Sequence, residues 1–276
     1  MASPRRVLTQ RTPSRALPLG YHAFLPEPRR HRTPIVIVHG SSRGAGRHFR
    51  AFLPKAIAFE RPLIVPTFGD ERFRGYQRLA GVDGPMAAEA ALAITCDDAS
   101  AVLGLDTEQV DLLGFSGGAQ FVHRYALASP ERVRRALIAA AGWYTYLDPT
   151  RPFPYGCAAS SASANREFDI DAFLRVPVHV LIGERDVRRD ASLRTGSTID
   201  RRQGFDRLSR ALRWVDHVED VAHVRGLCSR VTFDLLSGSG HSFSDAVRNG
   251  GLVERTYEFL GSTADSLPLG SEGRPI

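Results

Sequence analysis

Lysine is almost absent from this 276-residue chain: Lys55 is the only one among 36 Lys and Arg residues, so arginine carries nearly all of the formal net charge of +6. The arginines are scattered rather than striped with aromatics, which excludes a nucleic-acid groove and leaves a mildly basic surface. Cysteine is scarce too. Cys96, Cys157 and Cys228 lie far apart with no Cys-x-x-Cys, so neither a disulfide framework nor a zinc knuckle is expected, no metal site is implied, and a reducing, cytoplasmic setting follows. No apolar run is long enough to span a bilayer. The N-terminus is rich in Arg and has no acid before Glu27, a faint likeness to a transit peptide. It lacks an apolar signal core, however, and Leu19 to Leu25 reads as a strand, so the segment is assigned to two edge strands of the fold.

What is present is an ordinary globular composition, 43% hydrophobic and 24% charged, at a length that suits a single domain over 1–276. Short β-branched runs alternate with longer helix-like stretches. That pattern predicts an α/β fold with a predominantly parallel central sheet flanked by helices. Strands are expected near 20–25, 35–39, 62–66, 109–114, 134–140, 177–182 and 230–235. Runs such as Ile35-Val36-Ile37-Val38 suit strands covered on both faces. Helices are expected over 85–103 (buried face Met86, Ala90, Ala93, Ile94, Ala101), from Ala119 to Ala128, over 205–223 (buried face Leu208, Leu212, Val215, Val218, Ala222) and over 251–260. Residues 143–176 are expected to form a small loop-rich lid, and 262–276 a frayed tail.

The most informative motif is Gly114-Phe115-Ser116-Gly117-Gly118, set between the strand-like Val110–Leu113 and a helix-like run. A Gly-x-Ser-x-Gly between strand and helix is a nucleophile elbow: a turn too tight for bulky flanks lifts the serine hydroxyl clear of the backbone. A serine needs a base, and the base needs a third group to hold its tautomer. His241, the last histidine, lies in the Gly-rich loop Ser237–Ser242 and is the candidate base. Asp186, just beyond Val178–Gly183, is the candidate acid, with Glu184, Asp190 and Asp148 as rivals. An oxyanion hole needs two backbone N–H groups. Gly117 supplies one and Ser41, in the loop after Ile35–Val38, is the first choice for the other, with Ser42 second.

That glycine-dense loop has no Lys-Ser/Thr after it and lacks the third Gly of a dinucleotide fingerprint, so nucleotide binding is excluded. Trp143, Tyr144 and Tyr146, clustered with Phe153 and Tyr155, are candidates for an apolar substrate pocket, the other reading being that they form the core of the small cover. His123 reads as a packing or capping residue, and His217 and His223 as surface residues. Arg185, Arg188, Arg189, Arg194, Arg201 and Arg202 flank the acid loop; receipt of an anionic substrate is one reading of them, and a solvated face is the preferred one.

With Ser116, Asp186, His241 and the His39-Gly40 loop in this order, the chain resembles the α/β-hydrolase superfamily of serine hydrolases from about residue 19 to 260. Within it the chain looks most like compact esterases with small lids, including polyhydroxyalkanoate-depolymerase-like proteins. The resemblance implies hydrolysis of a small-molecule carboxylic ester through an acyl-enzyme, without metal or organic cofactor. The alternatives are an acyltransferase using the same acyl-enzyme and a non-catalytic binding protein of the same fold. A dehalogenase would have Asp where this chain has Ser116. Acyl length, alcohol part and oligomeric state are not encoded in these motifs.

Overall fold

A run of four β-branched residues, Ile35–Val38, has no polar face to offer solvent and is wholly buried. In the computed structural model, which describes residues 6–27 and 31–261, this strand sits near the middle of one eight-stranded sheet. The strands are β1 (Arg6–Arg11), β2 (Gly20–Pro26), β3 (Ile35–Val38), β4 (Leu63–Thr67), β5 (Val110–Phe115), β6 (Val133–Ala139), β7 (Val178–Gly183) and β8 (Val231–Leu236), in the spatial order β1-β2-β4-β3-β5-β6-β7-β8. β1, β2 and β4 are joined antiparallel and every later pairing is parallel. The expected predominantly parallel α/β sheet is therefore found, with the antiparallel N-terminal pair at one edge. The tail 262–276 lies outside the described residues.

The chain leaves β3 for β4 on one side and returns across it to form β5 on the other. Such a reversal of strand order opens a crevice at the carboxyl ends of the two strands, the usual ligand position of parallel sheets. Ser41 follows β3 and Ser116 follows β5, so the two loops face that crevice.

The helices are α1 (Ala45–Ala58), α2 (Asp70–Phe73), α3 (Ala87–Leu103), α4 (Gly117–Ala128), α5 (Ile170–Arg175), α6 (Ser197–Gln203), α7 (Arg207–Val224), α8 (Phe243–Arg248) and α9 (Leu252–Gly261). α1 packs on β2, β3, β4 and α9, α4 on β3, β5 and β6, and α7 on β7 and β8. α7 stays one-sided through Ala211, Trp214, Val215, Val218 and Ala222, while Leu208 and Leu212 are half-buried. Its N-terminus is closed by a capping box in which the Asp206 carboxylate accepts from the Ser209 amide at 2.8 Å.

One expected face is corrected. On α3 the buried residues are Ala88, Ala91, Leu92, Thr95, Cys96 and Ala99, whereas Ile94 is 42% exposed and Ala90 and Ala101 face solvent. Alanine occurs all round this helix and Ile94 and Val102 lie off its buried face, so hydrophobic spacing marks no single stripe. Residues 143–176 connect β6 to β7 through loops, a short 3₁₀ turn and α5. Phe153, Cys157, Ser163 and Ile170 are buried, and Arg166 ties the segment to Glu89 of α3 at 2.8 Å.

Candidate active site

Ser116 closes β5 in a backbone conformation that non-glycine residues avoid, φ 54° and ψ −113°. The turn around it is crowded. A Cβ on Gly114 would collide with the Gly118 carbonyl, and one on Gly118 with the Val38 carbonyl of the neighbouring strand. The elbow glycines are thus required by close approach, and the strained turn projects the Ser116 hydroxyl over the start of α4. The first amides of α4 have no partner within the helix and carry its positive dipole end.

His241 lies between Ser116 and Asp186. Its Nδ1–H donates to Asp186 Oδ2 at 2.8 Å, and the Ser116 hydroxyl donates to its Nε2 at 3.0 Å. A carboxylate only accepts, so the proton sits on Nδ1 and Nε2 is left as the acceptor. Phe115 stacks against the imidazole with ring centroids 5.8 Å apart.

Asp186 has 1% exposure. Its amide donates to the Gly183 carbonyl at 2.9 Å, and its other oxygen, Oδ1, accepts from Arg207 Nη1 at 3.3 Å. The rival carboxylates are engaged elsewhere. Asp148 accepts from the Thr150 amide and hydroxyl and pairs with Arg151, and Thr150 holds it below its ordinary pKa. Glu184 accepts from the Gly238 amide, and Asp190 pairs with Arg207.

Ser41 and Gly117 meet at the opposite wall. A Cβ on Gly117 would lie 2.6 Å from Ser41 Oγ and 3.2 Å from the Ser41 amide nitrogen. The Ser41 loop is pinned by His39, which is fully buried. The Phe68 amide donates to His39 Nε2 at 3.0 Å, His39 Nδ1–H donates to the Gly40 carbonyl at 2.9 Å, and the Tyr76 hydroxyl donates to the His39 carbonyl at 2.8 Å. Burial lowers the His39 pKa to about 4, so the ring is neutral and structural. Among the described residues no group of three or more His, Cys, Asp or Glu could hold a metal ion.

A cavity of about 300 Å³ opens here, with Ser116, His241, Ser41, Gln120, Gly142 and Ser192 among its lining residues. The proposed pocket aromatics divide. Tyr146 lines a separate concavity, whereas Trp143 is 5% exposed beneath Arg194 and lines neither cavity. Tyr144 is corrected: it is fully buried, stacked on Trp214 with centroids 4.9 Å apart, and lines neither cavity. His217 is corrected as well. It is half-buried, accepts the Leu147 amide at 3.0 Å and packs on Tyr146. His123 is buried in α4, donates from Nδ1 to the Ala119 carbonyl and accepts the Thr145 amide at Nε2. These two histidines anchor the segment after β6 to α4 and α7.

Most of the chain superposes on solved structures of one architecture. Poly(aspartic acid) hydrolase-1 from Sphingomonas sp. KT-1 matches with a TM-score of 0.76 and 24% identity, over 95% of this chain and 100% of that one. A poly(3-hydroxybutyrate) depolymerase from Bordetella parapertussis matches with 0.74 and 24%, over 94% and 90%. The chain has the α/β-hydrolase fold. In this fold a Gly-x-Ser-x-Gly turn at a strand end places a serine where Ser116 lies, followed in sequence by an acid and then a histidine. No family model matches the chain. In sequence it is 33% identical over 167 residues to a 2-hydroxymuconate semialdehyde hydrolase from Pseudomonas sp. strain CF600; that stretch spans 59% of this chain and 55% of that protein's length.

Arg207 was not visible as a site residue in the sequence. Its side chain is 1% exposed and reaches Asp186, Asp190 and the Ser192 hydroxyl. An arginine in the first turn of an amphipathic helix reads as a solvated charge, and the signal that could have found it is the pair of aspartates four residues apart in the loop before α6.

Proposed function

We propose that the protein is a serine hydrolase that cleaves carboxylic esters through an acyl-enzyme. The observation that carries the reading is the unbroken hydrogen-bond chain from Ser116 Oγ through His241 to buried Asp186. In this mechanism Ser116 Oγ attacks the ester carbonyl while His241 Nε2 takes the hydroxyl proton. The carbonyl oxygen gains negative charge and is held by the amides of Ser41 and Gly117. The tetrahedral species collapses, the C–O bond to the alcohol breaks, and His241 gives its proton to the departing alkoxide. Water then attacks the acyl-enzyme with His241 again as base, releasing the acid and restoring Ser116. Asp186 keeps Nδ1 protonated and stabilises the imidazolium.

The relatives support a hydrolytic reading, since the sequence relative and both structural neighbours are named as hydrolases or a depolymerase. We also read the setting as reducing and cytoplasmic, because three free thiols are present and Cys228 is exposed. The experiment is labelling with a fluorophosphonate probe together with turnover of p-nitrophenyl esters. Labelling of the Ser116 peptide and ester cleavage support the reading; a folded protein with neither overturns it.

A further inference from the structure

Beside the Ser116 cavity lies a second, larger concavity of about 540 Å³, walled by Tyr146, Tyr155 and Ile199 and charged by Arg151, Arg194 and Arg202. Most arginines of this region are neutralised. Arg151 pairs with Asp148 at 2.9 Å, Arg189 and Arg210 with Asp200, and Arg207 with Asp190. Arg194 and Arg202 are exposed, and among the described residues neither has a carboxylate within ion-pair distance.

The positive charge extends inward. The Arg194 guanidinium lies 5.3 Å from the Trp143 ring and 5.2 Å from that of Tyr155. The same indole has a second guanidinium, Arg124, at 4.1 Å. Arg124 is fully buried, and its partners are neutral: the Thr145 hydroxyl and the carbonyls of Gln77 and Gln120. Its Nη2 makes no hydrogen bond. A desolvated cation without a counter-ion raises the potential of the neighbouring cavity far more than a surface arginine does.

The two cavities share no lining residue but lie close along the chain: Ser192 lines the Ser116 cavity and Arg194, two residues beyond it and at most about 7 Å along extended chain, lines the larger one. Gln203, in the wall of the larger cavity, accepts the Tyr144 amide at 2.9 Å and donates to the Tyr144 carbonyl at 2.8 Å, which ties that wall to the segment after β6.

We propose that the larger cavity receives a carboxylate, so that the substrate is an acidic ester bearing a carboxylate several bonds from the scissile carbonyl. Arg194 and Arg202 bind the carboxylate oxygens through their planar N–H forks. Tyr146, Tyr155 and Ile199 cover the hydrocarbon stem, and buried Arg124 adds a fixed field without touching the ligand. This proposal rests on the serine hydrolase reading.

The test compares mono-4-nitrophenyl adipate with its methyl ester, which has the same length without the charge. The wild type should prefer the acid in kcat/KM by at least about 30-fold, as expected for hydrogen bonds to a charged group. The double variant Arg194→Gln/Arg202→Gln should bring that ratio to within about threefold of unity, mainly through KM. A control, Arg32→Gln/Arg175→Gln, removes the same charge at the amino ends of β3 and β7 and should leave most of the ratio in place. A wild type that cleaves both esters equally, or a control that loses the preference as fully as the double variant, overturns the proposal. Labelling of Ser116 by a fluorophosphonate reads the hydrolase mechanism separately, so failure of the carboxylate site and failure of the serine mechanism give different results.

Discussion

Arg207 and Asp186 meet at 3.3 Å with both side chains buried, and the other oxygen of that carboxylate holds His241. A cation therefore stands behind the candidate acid and fixes its rotamer from the side away from the base. The same guanidinium grips Asp190 and the Ser192 hydroxyl, so one residue joins the acid loop to the wall of the Ser116 cavity.

Removing that clamp leaves a buried carboxylate without its cation. Arg207→Met should lower stability by about 3–5 kcal/mol, the cost of breaking a buried pair from one side. Asp190→Asn should cost less, because its carboxylate is 42% exposed. Thermal unfolding of the two variants tests this ordering. Where Arg207→Met remains folded, an altered pH profile of kcat/KM separates a positioning role towards Asp186 from loss of stability alone.

The acid assignment makes a sharp contrast. Asp186→Asn should lower kcat by about 10⁴-fold, since an amide in place of the carboxylate favours the wrong imidazole tautomer. Asp148→Asn should change kcat by no more than a few-fold, because Asp148 is held by Thr150 and Arg151. Steady-state kinetics on both variants check it; the opposite ranking would move the acid to the β6 loop.

Gly117 is predicted to be intolerant for a local reason. A methyl group there would press on Ser41 Oγ at 2.6 Å and on the Tyr76 hydroxyl at 2.8 Å. Gly117→Ala should push the Ser41 loop away and lower kcat by about 10²–10³-fold, comparable to losing an oxyanion donor. KM should change much less, because the donors act on charge that develops in the transition state.

Stability should fall on mild acidification. His39 and His48 are buried, and desolvation lowers each to about 4 from 6.5. Between these values the unfolded chain binds more protons than the folded one, so stability is present above about pH 6.5 and is lost as pH falls towards 4. Each histidine contributes a slope of up to about 1.4 kcal/mol per pH unit in that window. Denaturant unfolding across the window measures the slope, and His48→Leu should make it shallower.

The sheet was legible because strands buried on both faces read as short β-branched runs, and the elbow because its glycines follow from close backbone contacts. Ser116, Asp186 and His241 could be proposed from their order between elements. What stayed hidden were residues whose burial contradicts their chemistry. Arg207, Arg210 and Arg124 belong to no motif in the sequence, yet they occupy the interior because carboxylates, carbonyls and an indole are waiting there. Tyr144 could not be separated from Tyr146 by composition; Tyr144 is buried against Trp214, whereas Tyr146 packs on His217 and lines the larger cavity. The solvated reading of the arginines beside the acid loop applies to Arg189, which Asp200 neutralises, and is replaced by the proposed carboxylate site for Arg194 and Arg202.

The central claim is that an acyl group passes through Ser116. Stopped-flow mixing with a p-nitrophenyl ester, followed by acid quench and peptide mass spectrometry, tests it most directly. A nitrophenol burst of about one per protein is expected when deacylation is the slower step, with an acyl adduct on the peptide holding Gly114–Gly118. Ester turnover that persists at the wild-type rate in Ser116→Ala, or an adduct confined to another residue, would contradict it.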